Sequence, residues 1–296
     1  MAAKLMSGNE VAKEMRKEMT AEVERLKSEH DVLPGLAVVL VGDNPASISY
    51  VTGKQKACAQ VGIHSEEHRF DADLPEEDLL KLIDKLNGDP KVNGILVQLP
   101  LPKHIDENRV LNAITPDKDV DGFHPVSVGK LMVGEEGFLP CTPHGVQQLL
   151  VRSGIEIEGK HVVVVGRSNI VGKPVANILL QKKAGANATV TICHTGTPDM
   201  GQFTRQADIL IVAAGRPDTV TADMVSDGVV VVDVGVNRIP DASKKSGFRL
   251  VGDVDFKGVS EKASAISPVP GGVGPMTITM LLFNTIWSAR MAHGIA

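Results

Sequence analysis

Apolar residues recur along the chain with two alternating rhythms. Val11, Met15, Met19, Val23 and Leu26 keep the three-and-four spacing that places one stripe along one face of a helix. Ser7 and Glu10 stand ahead of this stripe as an S-x-x-E capping box, and the stripe itself reads as core-facing. The run LAVVLVG (36–42) is continuous instead, as expected of a buried strand. A loop and helix follow over DNPASISYVTGKQKACAQVG, closed by Gly62. HSEEHRF, a helix over PEEDLLKLIDKLNGD and a strand over GILVQLP (94–100) come next. From about 100 to 142 the pattern turns irregular and rich in Pro, Gly and Asp, which reads as a long ordered loop with a functional purpose. A helix from about Pro143 to Arg152 leads into a second series of short apolar runs, HVVVVG, ATVTIC, ADILIVAAG and GVVVVDVG, expected to be strands covered on both faces. MTITMLLFNTIWSARMA closes the chain as an apolar helix suited to packing back on the first series. Strands alternating with helices imply βαβ units and parallel sheets, so the fold class is α/β.

Composition narrows the function classes. The 296 residues suffice for one large or two ordinary domains, and 43% hydrophobic with 23% charged residues indicates a globular chain. A net charge of −5 argues against general nucleic-acid binding and leaves room for a local basic pocket around a small anion. The three cysteines, Cys58, Cys141 and Cys193, form no C-x-x-C, so neither a disulfide framework nor a zinc site is expected, and a reducing compartment fits. The N-terminus carries acids and no apolar core of a secretory signal, and no uninterrupted apolar segment is long enough for a bilayer. The expectation is a cytoplasmic protein without membrane contact. The nine histidines show no H-E-x-x-H spacing, and no catalytic metal is expected.

The stretch VVVVGRSNIVGKP (162–174) reads as a strand entering a phosphate loop. A triphosphate loop would need four residues between its glycines and Ser or Thr after the lysine. Here five residues separate Gly166 from Gly172, and Pro174, which cannot ligate magnesium, follows Lys173. A dinucleotide is the better fit, although a full G-x-G-x-x-G is absent. The second strand of this series runs into His194 and Thr195 with no acid to bond a ribose 2′-hydroxyl. Arg167, with Ser168 and Thr195 as hydroxyl partners, could clamp the extra phosphate of NADP. The alternative is an arginine solvated on a surface loop.

Four polar positions in the first half invite chemistry. Tyr50, the only tyrosine, and Lys54 share a helix face at i and i+4. A lysine beside a phenol in a cleft can shuttle protons, and a tyrosine packed on a lysine stem is the plainer reading. Gln98 interrupts the strand GILVQLP near its carboxyl end, where ligands bind in open α/β sheets, or where an amide ties down a loop. TPDKDVDGFHP sets Asp117, Asp119 and Asp121 before Gly122 like the first half of a calcium loop, but Val128 stands where the closing acid belongs. A carboxylate there could bond a heterocycle's N–H groups or cap a turn. PVPGGVGP (268–275) could bring backbone close to a ligand or simply turn the chain into its last helix.

Taken together, SYVTGKQKAC, GILVQLPLP, DKDVDGFHP, PCTPHGV, VVVVGRSNIVGKP, ADILIVAAGRP, VVVDVGVNR and SPVPGGVGPMT resemble the bifunctional methylene-tetrahydrofolate dehydrogenase/methenyl-tetrahydrofolate cyclohydrolase family, from about Leu5 to the last helix. The resemblance implies two α/β lobes. A folate-binding catalytic domain would span 1–147 and be completed by the C-terminal helix 276–296, and a Rossmann-type NADP-binding domain would span 148–275. It implies oxidation of methylene-tetrahydrofolate with NADP, hydrolysis of the methenyl product to 10-formyl-tetrahydrofolate, and a cytoplasmic homodimer. By match, Lys54 is the central catalytic group, Tyr50 flanks the folate rings, Gln98 holds Lys54 and Asp121 bonds the pterin. Val97 and Leu99 line the pocket, and Pro270, Gly271, Gly272, Val273 and Gly274 form its backbone wall. Gly166, Arg167, Ser168, Thr195 and Val236 match the cofactor site. One departure stands out: the chain reads CHTGT, with Gly196 where family members often carry a basic residue, so NADP preference would lean on Arg167. A monofunctional folate dehydrogenase or a shikimate-type dehydrogenase is the competing reading.

Overall fold

The computed structural model describes residues 3–244 and 247–295. The chain opens with a two-residue strand, β1 (Lys4–Leu5), and the long helix α1 (Gly8–His30). The Ser7 hydroxyl accepts from the Glu10 N–H at 3.3 Å, and all five residues of the predicted stripe are buried. Then β2 (Gly35–Val41), α2 (Pro45–Val61), β3 (His64–Phe70), α3 (Glu76–Gly88) and β4 (Gly94–Val97) follow in alternation. α2 is closed at both ends by its own sequence. The Asn44 side chain accepts from the Ala46 N–H at 2.9 Å, Pro45 sits in the first turn, and Gly62 takes the left-handed conformation past the end. β4 stops at Val97, short of the predicted Pro100, because Pro100 and Pro102 have no N–H for a ladder.

The stretch expected to be loop contains two short helices, α4 (Glu107–Ala113) and α5 (Pro125–Val133), with a single 3-10 turn at Pro116–Lys118. Asp106 and His124 cap their N-termini. Neither helix is long enough to display a convincing apolar period. Asp119 holds the start of α5 as a turn-capping residue: its carboxylate accepts from the His124 N–H (2.8 Å), the Phe123 N–H (3.3 Å) and the Ser127 hydroxyl (2.8 Å).

The second series runs α6 (Cys141–Arg152), β5 (His161–Val165), α7 (Gly172–Leu180), β6 (Thr189–Cys193), the single-turn α8 (Gly201–Thr204), β7 (Ile209–Val212) and β8 (Val230–Asp233). An antiparallel hairpin, β9 (Asn237–Pro240) and β10 (Phe248–Val251), then α9 (Phe256–Ser260), β11 (Ala265–Ile266) and α10 (Val273–Ala292) complete it.

Two compact units result: Lys13–Cys141 with the chain from Ile278 onward, and Thr142–Thr277 with the residues up to Ala12. The first holds a parallel sheet ordered β3-β2-β4, over a core of Val39, Ile83, Ile95, Val97 and Val110 among others. Buried polar groups tie the C-terminal helix into it. Asn284 Nδ2 donates to the Val120 carbonyl (2.8 Å) and the Leu139 carbonyl (3.0 Å), and the Ser288 hydroxyl lies 2.6 Å from the Asn93 carbonyl. Trp287 meets Phe138 edge to face, with ring centres 4.8 Å apart. The second unit holds a parallel sheet ordered β1-β11-β8-β7-β5-β6. β6 lies at its edge with Ile192 exposed, so the expectation of cover on both faces fails for that strand. Among the described residues no helix is long and apolar enough to cross a membrane.

Candidate active site and cofactor pocket

In the first unit, α2 and the carboxyl end of β4 bring Lys54 and Gln98 together. The Lys54 amine, on a side chain that is 9% exposed, donates to Gln98 Oε1 at 2.9 Å. Gln98 is oriented by a second bond, from its Nε2 to the Leu99 carbonyl at 2.7 Å, which fixes the oxygen as the atom that faces the amine. Its main chain is held too, through its N–H to the Val39 carbonyl at 2.9 Å. Burial lowers the Lys54 pKa, while Asp121, Cys141 and Cys58 favour its charged form. The Asp121 carboxyl answers in the opposite direction: burial raises its pKa, and Lys54 and Cys141 lower it. Lys54 and Asp121 therefore each favour the other's charged form.

Tyr50 lies one turn before Lys54 on the same face of α2 and is 46% exposed. Val97 is buried in the sheet core and Leu99 packs against that core half-buried, so Val97 supports the floor of the strand end. Sequence reading missed Cys141. Its thiol, pushed well above the usual range by burial and by Asp121, donates to the Val120 carbonyl at 3.3 Å and borders Asp121. His64 and His68 stand four apart on β3, where that spacing separates residues by about 13 Å along the strand.

In the second unit, the segment Pro270–Gly274 packs backbone on backbone against the start of α1. The Asn9 N–H donates to the Gly271 carbonyl at 3.1 Å, and a Cβ on Gly8 would stand 1.7 Å from the Gly272 carbonyl oxygen. Val273 is buried as the first residue of α10.

The carboxyl ends of β5, β6 and β7 enclose a cavity of about 400 Å³. Gly166, Arg167, Ser168, His194, Thr195 and Arg216 are among its lining residues, and no Asp or Glu is. The turn needs both of its glycines. Gly166 has φ +122°, and a Cβ there would lie 2.2 Å from the Ala213 carbonyl oxygen; a Cβ on Gly172 would lie 2.2 Å from the Gly166 carbonyl oxygen. Gly172 thus provides the close helix-to-strand approach of a dinucleotide turn despite the altered spacing. The Ser168 hydroxyl accepts from the Val171 N–H (3.1 Å) and the Gly172 N–H (3.4 Å), and so organises the entry to α7. Lys173 donates to Asn169 Oδ1 at 2.8 Å, within the loop. Thr195 lines the cavity; Val236 follows β8, is 48% exposed and is not among the lining residues. Arg216 is the second residue that sequence reading left out, although its place just past a parallel strand's carboxyl end was a usable signal.

Two further carboxylates stitch this end of the sheet. Asp253, fully buried, accepts from the Ala214 N–H (2.7 Å), the Gly215 N–H (2.8 Å) and Asn237 Nδ2 (2.8 Å). Asp233 accepts from the Gly235, Asp253 and Val254 N–H groups at 3.0, 2.9 and 3.0 Å.

Two family profiles match the chain: the tetrahydrofolate dehydrogenase/cyclohydrolase catalytic domain over residues 6–121, and the NAD(P)-binding domain of the same family over residues 140–293. The bifunctional protein FolD of Dehalococcoides mccartyi (strain CBDB1) is 60% identical over 296 residues, covering 100% of this chain and 99% of that protein. The crystal structure of the bifunctional FolD enzyme from Campylobacter jejuni superposes with a TM-score of 0.92 at 51% identity, over 98% of this chain and 99% of that one. The dehydrogenase-cyclohydrolase of Trypanosoma brucei, solved with NADP cofactor and inhibitor, superposes with a TM-score of 0.93 at 41% identity, over 99% of both chains.

Proposed function

The chain belongs to the tetrahydrofolate dehydrogenase/cyclohydrolase family, and from that premise we propose which of its side chains carry the two reactions. It is a bifunctional one-carbon enzyme: it oxidises methylene-tetrahydrofolate to methenyl-tetrahydrofolate with NADP and hydrolyses that product to 10-formyl-tetrahydrofolate. The monofunctional and shikimate-type alternatives are not favoured, because relatives covering the whole chain carry the bifunctional name.

The observation that carries the site assignment is the Lys54–Gln98 contact at 2.9 Å beside Asp121. A buried amine with a lowered pKa can take a proton from water near neutral pH. In this reading Lys54 removes one proton from the water that adds to the methenyl carbon. The resulting ammonium is held by Gln98 Oε1 and favoured by the charge of Asp121. It then returns the proton to the ring nitrogen as the carbon–nitrogen bond opens; the adduct's hydroxyl proton leaves, and the formyl group remains. Asp121 bonds N–H groups of the pterin, and Tyr50 supplies the stacking face beside it. Leu99 lines the folate pocket over Val97.

NADP, when bound, accepts the hydride of the first step. The acid-free cavity with its arginines and hydroxyls fits the phosphate-bearing end of that cofactor, with Gly166, Arg167, Ser168 and Thr195 as its residues and Val236 beside the β8 end. The β9–β10 hairpin pairs with no third strand among the described residues, which supports a homodimer joined through the cofactor lobe. Three free, buried cysteines support a cytoplasmic setting.

The test is methenyl absorbance followed in time with methylene-tetrahydrofolate and either NADP or NAD. A rise favouring NADP, then a decay faster than the uncatalysed one, is expected. A rise without accelerated decay would remove the second activity.

A further inference from the structure

The cavity at the ends of β5, β6 and β7 presents two guanidinium groups where sequence reading assigned one. Arg167 follows the β5 turn and Arg216 follows Gly215 at the end of β7, and both residues are exposed. Neither forms an ion pair among the described residues, whereas Arg109 and Arg249 are each held by carboxylates. Two unpaired cations sharing a cavity without a single lining acid repel one another until an anion arrives. Ser168, Thr195, Thr197 and Thr219 line the same cavity with hydroxyls, and no other Lys or Arg does. Gly196 brings no side chain; its N–H is spent on His194 Nδ1 at 3.0 Å.

The backbone that carries Arg216 is fixed while its side chain is free. Asp253 clamps the Ala214 and Gly215 N–H groups at 2.7 and 2.8 Å, and the Thr219 hydroxyl donates to the Arg216 carbonyl at 2.8 Å. The cation is thus delivered from a rigid base, which limits the entropy lost when it closes on a ligand.

We propose that Arg216 is a specificity-determining residue: together with Arg167 it binds the 2′-phosphate of NADP, and it supplies the second positive charge that Gly196 cannot. The proposal rests on the reading of this cavity as the phosphate-bearing end of the cofactor site. A 2′-phosphate carries nearly two negative charges at neutral pH, so two guanidiniums match it and one leaves it undercompensated.

The experiment measures the Kd of NADP and of NAD by calorimetry, together with kcat/KM of the dehydrogenase step with each, in the parent, Arg216→Gln, Arg216→Lys and Arg167→Gln. Arg216→Gln should lower the NADP-to-NAD ratio about tenfold, the effect of one charge-assisted contact at an exposed site. Arg216→Lys should restore part of that ratio, and the salt dependence of the NADP KM should flatten in Arg216→Gln. An equal loss with both cofactors, or no loss with either, overturns the proposal. Arg167→Gln separates the two levels. If it alone lowers the ratio, only the role of Arg216 fails; if neither variant does, the placement of the phosphate in this cavity fails with it.

Discussion

Replacing Gln98 probes the heart of the folate site, because its oxygen is the atom that meets the buried amine. Gln98→Met keeps the side-chain length and removes both hydrogen bonds, the one received from Lys54 at 2.9 Å and the one given to the Leu99 carbonyl at 2.7 Å. An amine deprived of its acceptor inside the protein costs about 1–3 kcal/mol. If that loss falls on the transition state, the cyclohydrolase rate drops by about tenfold to a hundredfold at 1.36 kcal/mol per decade. The pH profile adds a sign. The parent's rate should rise with pH through an inflection below the ordinary lysine value of 10.5, because burial lowers the Lys54 pKa. Gln98→Met removes a group that favours the ammonium and should move the inflection further down. Gln98→Glu puts a carboxylate at the same contact and should move it up. The assay is the decay of methenyl absorbance across pH, corrected for uncatalysed hydrolysis. Opposite shifts cannot come from a merely loosened fold; inflections that coincide in all three proteins would refute the assignment.

Two further outcomes concern stability. Burial pushes the His144 pKa down from 6.5 to about 4. The unfolded chain therefore binds the extra proton first, and stability present above 6.5 is lost as pH falls towards 4, by about 3 kcal/mol for this group. Asp119 and Asp233, both pushed up to about 6 by burial, act in the opposite sense over this range, so the readout is the urea-unfolding difference between parent and His144→Gln, which should narrow by that amount between pH 6.5 and 4. Gly252→Ala places a Cβ 1.7 Å from Asp233 Oδ2, inside the carboxylate pair that stitches the cofactor unit, and should cost at least about 1–3 kcal/mol in thermal unfolding; an unshifted melting temperature would contradict that packing.

The sequence made the repeating parts of this molecule legible and left the irregular ones obscure. A helical apolar stripe predicted α1, the closing Gly62 marked α2, overall apolarity marked α10, and continuous apolar runs predicted β2, β5, β7 and β8, because burial imposes those patterns directly. The two-residue strands β1 and β11 and the short helices α4 and α5 carry too few residues for a period to emerge. At the site, Lys54 and Gln98 were readable as a spaced lysine and a polar break in a strand. Cys141 was not, since a cysteine beside a helix start has no spacing signature, and its nearness to Asp121 arises only in three dimensions. The middle aspartate of DKDVDG proved to be the capping residue, while Asp121 faces the lysine, a division of labour that spacing alone cannot make.

The most direct measurement is methenyl-tetrahydrofolate hydrolysis by Lys54→Met, alongside NADP binding by the same protein. Methionine fills the lysine's volume without an amine. General acid–base groups contribute about 10²–10⁴-fold, so the decay should fall to near the uncatalysed rate while NADP binds with parental affinity. Hydrolysis at the parent's rate in that variant would contradict the account.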